Sequence, residues 1–260
     1  MDSTSYSVTS KELCLFLSRY AVFLLGCGAT CIRLEKNVRR MAHAFGKDVE
    51  LTIMPRHVHM TVYGKDKNEM FTSIDTVLHT AISFDINTRL SELSWEVADR
   101  KIGFFEAKER FESIISSRSG NRWVVLLLVS LANASFCRLF GGDWVAMLMV
   151  GIATLAGFYL KQQLLRRGFD ARVTVFFCAF LSSVLGATCA LYGWGTTPDI
   201  AIGTSVLYLV PGIPFLNSFS DMIYSHYICA FSRFVDALIL TGCLSVGLCC
   251  GMLLMNIGMF

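Results

Sequence analysis

The sequence predicts an α-helical membrane protein of about five transmembrane helices, one broken between Pro211 and Pro214, preceded by a small cytosolic α+β domain. Three observations carry this reading. The 260 residues are 54% hydrophobic and 17% charged, with a mean hydropathy of +0.54, outside the range of ordinary soluble domains. The apolar excess is uneven: most charges precede Arg122, so a boundary near Ser119, Gly120 and Asn121 divides residues 1–118 from residues 119–260. Finally, the stretch VLYLVPGIPFLNSFSD, residues 206–221, closes an apolar run that starts at Ile200 but carries Pro211, Gly212 and Pro214 where a spanning helix should be continuous.

In the first half, residues 11–25 offer Leu13, Phe16, Leu17, Tyr20 and Leu24 on one face of an amphipathic helix. They do not read as an export signal, because Glu12 spoils the basic start and Arg19 leaves an apolar core of about six residues, too short for an h-region. Gly26 and Gly28 allow a break. A second helix follows with Leu34, Val38, Met41, Ala42 and Phe45 on its apolar side and Arg33, Glu35, Lys36, Arg39 and Arg40 toward water; Gly46 stops it. Residues 49–53, 57–63 and 70–77 have the β-branched content of strands, with turns at Met54-Pro55 and at Tyr63-Gly64-Lys65-Asp66, and predict a small antiparallel sheet. His57 and His59 share a face of the middle strand, a spacing that can bind metal, but no third ligand accompanies them and an exposed strand face is the preferred reading. Two short helices complete the half, with stripes Ile86, Leu90, Leu93, Val97 and Phe104, Ala107, Phe111, Ile114, joined by a turn at Arg100 to Gly103.

The second half offers apolar runs at residues 123–140, 145–165, 173–192, 200–219 and 237–255, each roughly as long as a bilayer crossing requires. Lys161 at the end of the second run and Arg166, Arg167 and Arg172 between it and the third make that side basic, while residues 193–199 carry no basic residue, so the positive-inside rule puts the N-terminal half in the cytoplasm and Phe260 on the outer side, with Arg118, Arg122 and Arg233 in agreement. Small residues recur at four-residue spacing: Ala153 and Gly157; Ser182, Gly186 and Ala190; Gly247 and Gly251. They permit close helix approach. Arg138 and Asp143 are expected at the outer interface. Arg233 and Asp236 have the i,i+3 spacing of a local ion pair at the inner surface.

The proline break defines the candidate site. Each proline removes a backbone donor and clashes with the preceding turn, freeing carbonyls around Tyr208 to Val210. Such a break persists where protein or a water-filled cavity satisfies the freed groups, which points to a binding or permeation site as well as to a plain structural kink. Asn217, Ser218, Ser220 and Asp221 bring polar groups to the same place and favour the site. The candidate substrate-binding residues are therefore Pro211, Gly212, Pro214, Asn217, Ser218 and Asp221, together with Asn133, whose amide is expensive in lipid and is expected to turn toward protein or a polar path. A carboxylate would be favoured by unpaired N–H groups at the half-helix start, and Asp221 could couple protons or pair with a cation.

Several function classes fall away. A net charge of +3 without a basic–aromatic stripe excludes nucleic acid as a partner. The ten cysteines include no CxxC pair; Cys137, Cys178, Cys189, Cys243, Cys249 and Cys250 lie in apolar runs as small hydrophobes, and Cys27 and Cys31 lack companions for a zinc site. No nucleophile elbow, Walker loop, HExxH or dinucleotide fingerprint is present, so no enzyme, metal or cofactor is expected and transport would draw on an ion gradient.

Four stretches resemble the threonine/serine exporter family, in order along nearly the whole chain: Gly28-Ala29-Thr30-Cys31-Ile32-Arg33-Leu34-Glu35 leading to Arg40, Ala44 and Gly46, with Cys31 where the pattern often has a hydroxyl; Arg89-Leu90-Ser91-Glu92-Leu93 with Glu106-Ala107; Gly141-Gly142-Asp143-Trp144; and Leu209-Val210-Pro211-Gly212-Ile213-Pro214 with Asn217, Asp221, Ala230 and Arg233. In length the chain resembles the two-component branch. That resemblance implies an inner-membrane exporter subunit working with a separate small integral-membrane subunit on succinate and related dicarboxylates; single-chain members, which fuse both parts, imply threonine and serine instead. A homo-oligomer is left open. The rival of another class is a membrane-anchored sensor or regulator, which would need no broken, polar-decorated span.

Overall fold

The computed structural model describes residues 8–64, 69–77, 82–117 and 120–257. Lys65 and Asp66 of the expected turn, Arg118 and Ser119 at the expected boundary, and Phe260 lie outside the described residues. The chain forms two compact units, Met1–Arg118 with Ile213–Phe234, and Ser119–Gly212 with Val235–Phe260. Residues 213–234 fall in the same compact unit as Met1–Arg118, where their polar side chains find the partners described below.

In the first unit, α1 (Ser10–Gly26) opens with a capping box, Thr9 accepting from the Glu12 N–H while the Glu12 carboxylate accepts from Thr9. Glu12, which in sequence only spoiled a signal peptide, thus starts a helix. Helix α2 (Cys31–Ala44) follows a turn that needs Gly28 at φ +88°, where a side chain would be strained. Strands β1 (Asp48–Ile53), β2 (His57–Tyr63) and β3 (Met70–Thr76) pair antiparallel in the order β1-β2-β3. Alternation puts Val58, Met60 and Val62 in the core and His57 and His59 on the exposed face, His59 opposite Thr52 and Ile74. Helix α1 lies against β2 and β3, burying Leu13, Leu17, Tyr20 and Leu24 completely. Helices α3 (Phe84–Ala98) and α4 (Phe104–Ser116) finish the core. Phe111 meets Phe16 and Phe23 edge to face at 5.8 Å each. Arg19 pairs with Glu112 of α4, Nη2 to Oε2 at 3.1 Å, so its charge is used at the rim of that core.

In the second unit, α5 (Arg122–Leu139), α6 (Trp144–Arg166) and α7 (Ala171–Tyr192) are each long and apolar enough to cross a membrane. Helix α8 (Pro198–Ser205) and a 3-10 turn (Leu207–Leu209) lead to the break. Helices α9 (Gly212–Ile223) and α10 (Tyr227–Leu254) follow, each shared between the two units. Helix α10 is the fourth candidate span, and the bent pair Pro198–Leu209 with Gly212–Ile223 makes a fifth when counted as one. The expected last span at 237–255 is the C-terminal part of this longer helix.

The small residues act as expected: a Cβ on Gly186 would lie 3.0 Å from Ser205 Cβ, and one on Gly247 would lie 2.5 Å from the Phe176 carbonyl. Asp143 caps α6, its Oδ1 accepting from the Ala146 N–H at 2.7 Å, and also accepts from the Thr196 N–H and hydroxyl. Those backbone donors, Ala146 first, hold its carboxyl below the usual carboxylate value. A depressed folded pKa stabilises above the unfolded value and loses that contribution as pH falls through the folded one. Asp143→Ala is therefore expected to lower the unfolding temperature at neutral pH and to flatten its decline below about pH 4; an unchanged acid limb would count against this role.

Candidate functional site

The break is built as its residues dictate. Val210, directly before Pro211, is extended at φ −59° and ψ 127°, since proline disfavours helical backbone in the preceding residue. The Val210 carbonyl, one of those expected to be freed, accepts from the Gly212 N–H at 2.9 Å. Helix α9 then starts at Gly212, with Pro214 in its first turn, where a missing N–H costs no helical bond.

Within the first unit, the polar face of α9 and the start of α10 converge on the turn before α2. Asn217 Nδ2 donates to the Gly28 carbonyl at 2.8 Å. Asp221, fully buried, accepts from the Cys31 N–H through Oδ1 at 2.8 Å and faces Arg233 Nη1 through Oδ2 at 2.8 Å. Arg233 Nη2 donates to the Ala29 carbonyl at 2.9 Å. Ser218 Oγ donates to the Ala230 carbonyl at 2.7 Å, joining α9 to α10. His226 Nε2 lies 3.5 Å from Glu35 on α2.

The logic of this knot is helix capping at a distance. Thr30, the N-cap of α2, makes no side-chain cap bond, and the first N–H of the helix, that of Cys31, has no acceptor within the helix, since a cap side chain serves only the second or third N–H. Asp221 supplies one, and its charge also meets the positive end of the α2 dipole. Arg233 Nη1 is within ion-pair distance of the carboxylate but off the line of a hydrogen bond, so its buried N–H groups depend on Asp221 as a charge partner. A hydrogen bond with Cys229, burial and the Asp221 charge all push the Cys31 thiol up, so it keeps its proton and donates to Asp221 Oδ2 at 3.4 Å.

The expected local pair of Arg233 with Asp236 does not form. Arg233 goes to Asp221, and Asp236 pairs with Arg172 of α7 at 3.4 Å. A desolvated carboxylate attracts the cation more strongly than an exposed one three residues away. Of the candidate site residues, Asn217, Ser218 and Asp221 come together here. Pro214 opens the same helix, Pro211 and Gly212 belong to the break, and Asn133 belongs to the second unit. There Asn133 is buried, donating to Thr154 Oγ1 at 2.7 Å and to the Thr204 carbonyl at 3.1 Å, toward protein as expected. Sequence reasoning missed Cys31 and the role of Arg233 as partner of Asp221. Among the described residues no group of three His, Cys, Asp or Glu could hold a metal ion.

The knot joins the first of the four stretches, at Gly28 to Cys31 and Glu35, to the last, at Asn217, Asp221, Ala230 and Arg233. A family model described as "Putative threonine/serine exporter" matches residues 15–255. The chain belongs to the threonine/serine exporter family. Two curated relatives are each called "Probable succinate transporter subunit YjjP": one from Klebsiella aerogenes, 29% identical over 229 residues, 87% of this chain and 88% of that protein, and one from Escherichia coli, 29% identical over 228 residues with the same coverage. No solved structure matches the chain. As a member of this family with its apolar helices, the protein is a multi-pass membrane transporter and not an enzyme.

Proposed function

We propose that the protein is one subunit of a secondary-active exporter of small carboxylate metabolites, succinate and related dicarboxylates foremost, in the bacterial inner membrane. It works with a separate small multi-span subunit, and residues 1–118 face the cytoplasm. The observation that carries this reading is that the first and last of the four family-like stretches meet on a buried carboxylate, held by Arg233 and the first N–H of α2, beside a helix that restarts after the proline break. The relatives' printed name, succinate transporter subunit, supports both the substrate class and a partner. In this mechanism the N–H groups opening α9 after Gly212 favour a substrate carboxylate. Asn217, Ser218 and Asp221 line the adjoining path, and Asp221 trades its internal partners against substrate or ion during the cycle.

The test is efflux of labelled succinate and labelled threonine from cells expressing this chain, the small subunit, both, or neither. Faster succinate loss only with both chains is the expected result. Threonine loss alone would move the assignment to the amino-acid substrates in the family description, and efflux independent of the chain would overturn it.

A further inference from the structure

A second polar site lies in the first unit, on the face of α2 turned toward α3 and α9. It is a cavity of about 550 Å³ lined by Arg33, Lys36 and Arg40 of α2, Trp95 of α3, Ser220 of α9 and Tyr224 just after it, among others. Its volume is within the range of small-molecule sites. The lining holds three cationic side chains and no carboxylate.

The imbalance is not a general property of α2. Arg39, on another side of the helix, is paired with Glu35 at 2.7 Å. Among the described residues, Arg33, Lys36 and Arg40 take part in no ion pair. The two guanidinium groups are positioned by neutral partners. Arg33 Nη1 donates to Asn87 Oδ1 at 3.0 Å, and Arg40 Nη1 donates to Ser94 Oγ at 2.7 Å and Asn37 Oδ1 at 3.1 Å. Asn37 and Asn87 are buried, and Asn37 is itself fixed, donating to the Tyr20 hydroxyl at 3.0 Å and to Ser91 at 3.2 Å. Arg40 is stacked 3.5 Å over Trp95, and its burial lowers it from the ordinary arginine value. Neutral amides orient an arginine without neutralising it, so its charge stays available to an anion.

We propose that this α2–α3–α9 cavity binds a small dicarboxylate, with Arg33 and Arg40 gripping its carboxylates and Lys36 adding a third positive charge to draw the dianion in. The identity of the ligand rests on the exporter reading given above; the existence of an anion site does not. Because Ser220 is next to Asp221 on α9 and Tyr224 follows the end of that helix, a bound dianion would touch the same helix that carries Asp221. The site therefore deepens that reading as a substrate-loading site in the first unit.

The test is calorimetric titration of the purified full-length chain in detergent with succinate and, separately, with inorganic phosphate. Saturable succinate binding is expected, weakened about tenfold or more by Arg33→Gln and by Lys36→Gln and unchanged by Arg39→Gln. Arg33 and Lys36 are exposed side chains, and thermal melts check that both variants stay folded. No saturable succinate binding, or parental affinity in an Arg33→Gln/Lys36→Gln double variant, overturns the proposal. Phosphate binding tenfold tighter than succinate with the same dependence overturns its carboxylate assignment. Efflux separates the two readings: pocket-dependent succinate binding without chain-dependent efflux sinks the exporter, and chain-dependent efflux without pocket-dependent binding sinks this site.

Discussion

Asp221→Ala is expected to destabilise the first unit by about 3–5 kcal/mol, because removing one member of a buried ion pair leaves the other charged and unsolvated. Arg233 Nη1 is buried with no other partner among the described residues, and the Cys31 N–H loses its acceptor at the same stroke. From the sequence alone, loss of Asp221 reads as loss of efflux in a protein that stays intact in the membrane. The burial of the pair changes that expectation: Asp221→Ala should lose folded protein as well as transport. Asp221→Asn isolates the charge, since its amide oxygen can still accept from Cys31 while the guanidinium goes unpaired; it should fall between parent and Asp221→Ala. Pairing it with Arg233→Gln should recover part of the loss. Denaturant unfolding of the purified chain measures all four proteins, and an Asp221→Ala midpoint matching the parent would show that the pair contributes nothing to the fold.

Much of this architecture is legible in the residues. The helical stripes of the first half, the strand alternation around Val58, Met60 and Val62, and the spans before the break all follow from periodicity and length, because burying one face is a local demand on the sequence. The interruption is equally plain, since two prolines and a glycine within four residues permit no continuous helix. What periodicity cannot show is the partner of a polar group. Asp221 and Cys31 are 190 residues apart, and the need that Asp221 meets, an orphan N–H at a helix start, is common to every helix and names no partner. Spacing rules pointed Arg233 to Asp236, three residues on, because they weigh nearness along the helix and not burial. The same blindness hid the packing of 213–234 with the first unit: its apolar residues look like half of a span, and the polar face that decides its place has partners on a turn far back in the chain. Thr9 and Glu12 are different: three residues apart ahead of an apolar stripe, they form a capping-box signature that is local to the sequence.

In the second unit the largest effect is expected from Gly247→Leu. Water drives no helix association within lipid, so helices there are held by close van der Waals fit. At Gly247 the α10 backbone lies close against that of α7: a Cβ would lie 2.5 Å from the Phe176 carbonyl oxygen, 3.0 Å from Ala179 Cβ and 3.2 Å from the Phe180 nitrogen. Two of those three atoms are backbone of α7, which cannot step aside as a side-chain tip can. A leucine must push the helices apart, at a cost of about 1–3 kcal/mol or more, and it would disturb the contacts of Leu244 with Val175 and Cys178 nearby. Gly242 on the same helix gives the control, since nothing lies within 4 Å of a Cβ placed there. Gly242→Ala should therefore be neutral or raise stability by up to about 1 kcal/mol through helix propensity. Thermal unfolding in detergent should move the two variants in opposite directions. If both behave alike, the close approach of α7 and α10 is not what holds the second unit together, because a side chain added at Gly247 meets α7 and one added at Gly242 meets nothing within 4 Å of its Cβ.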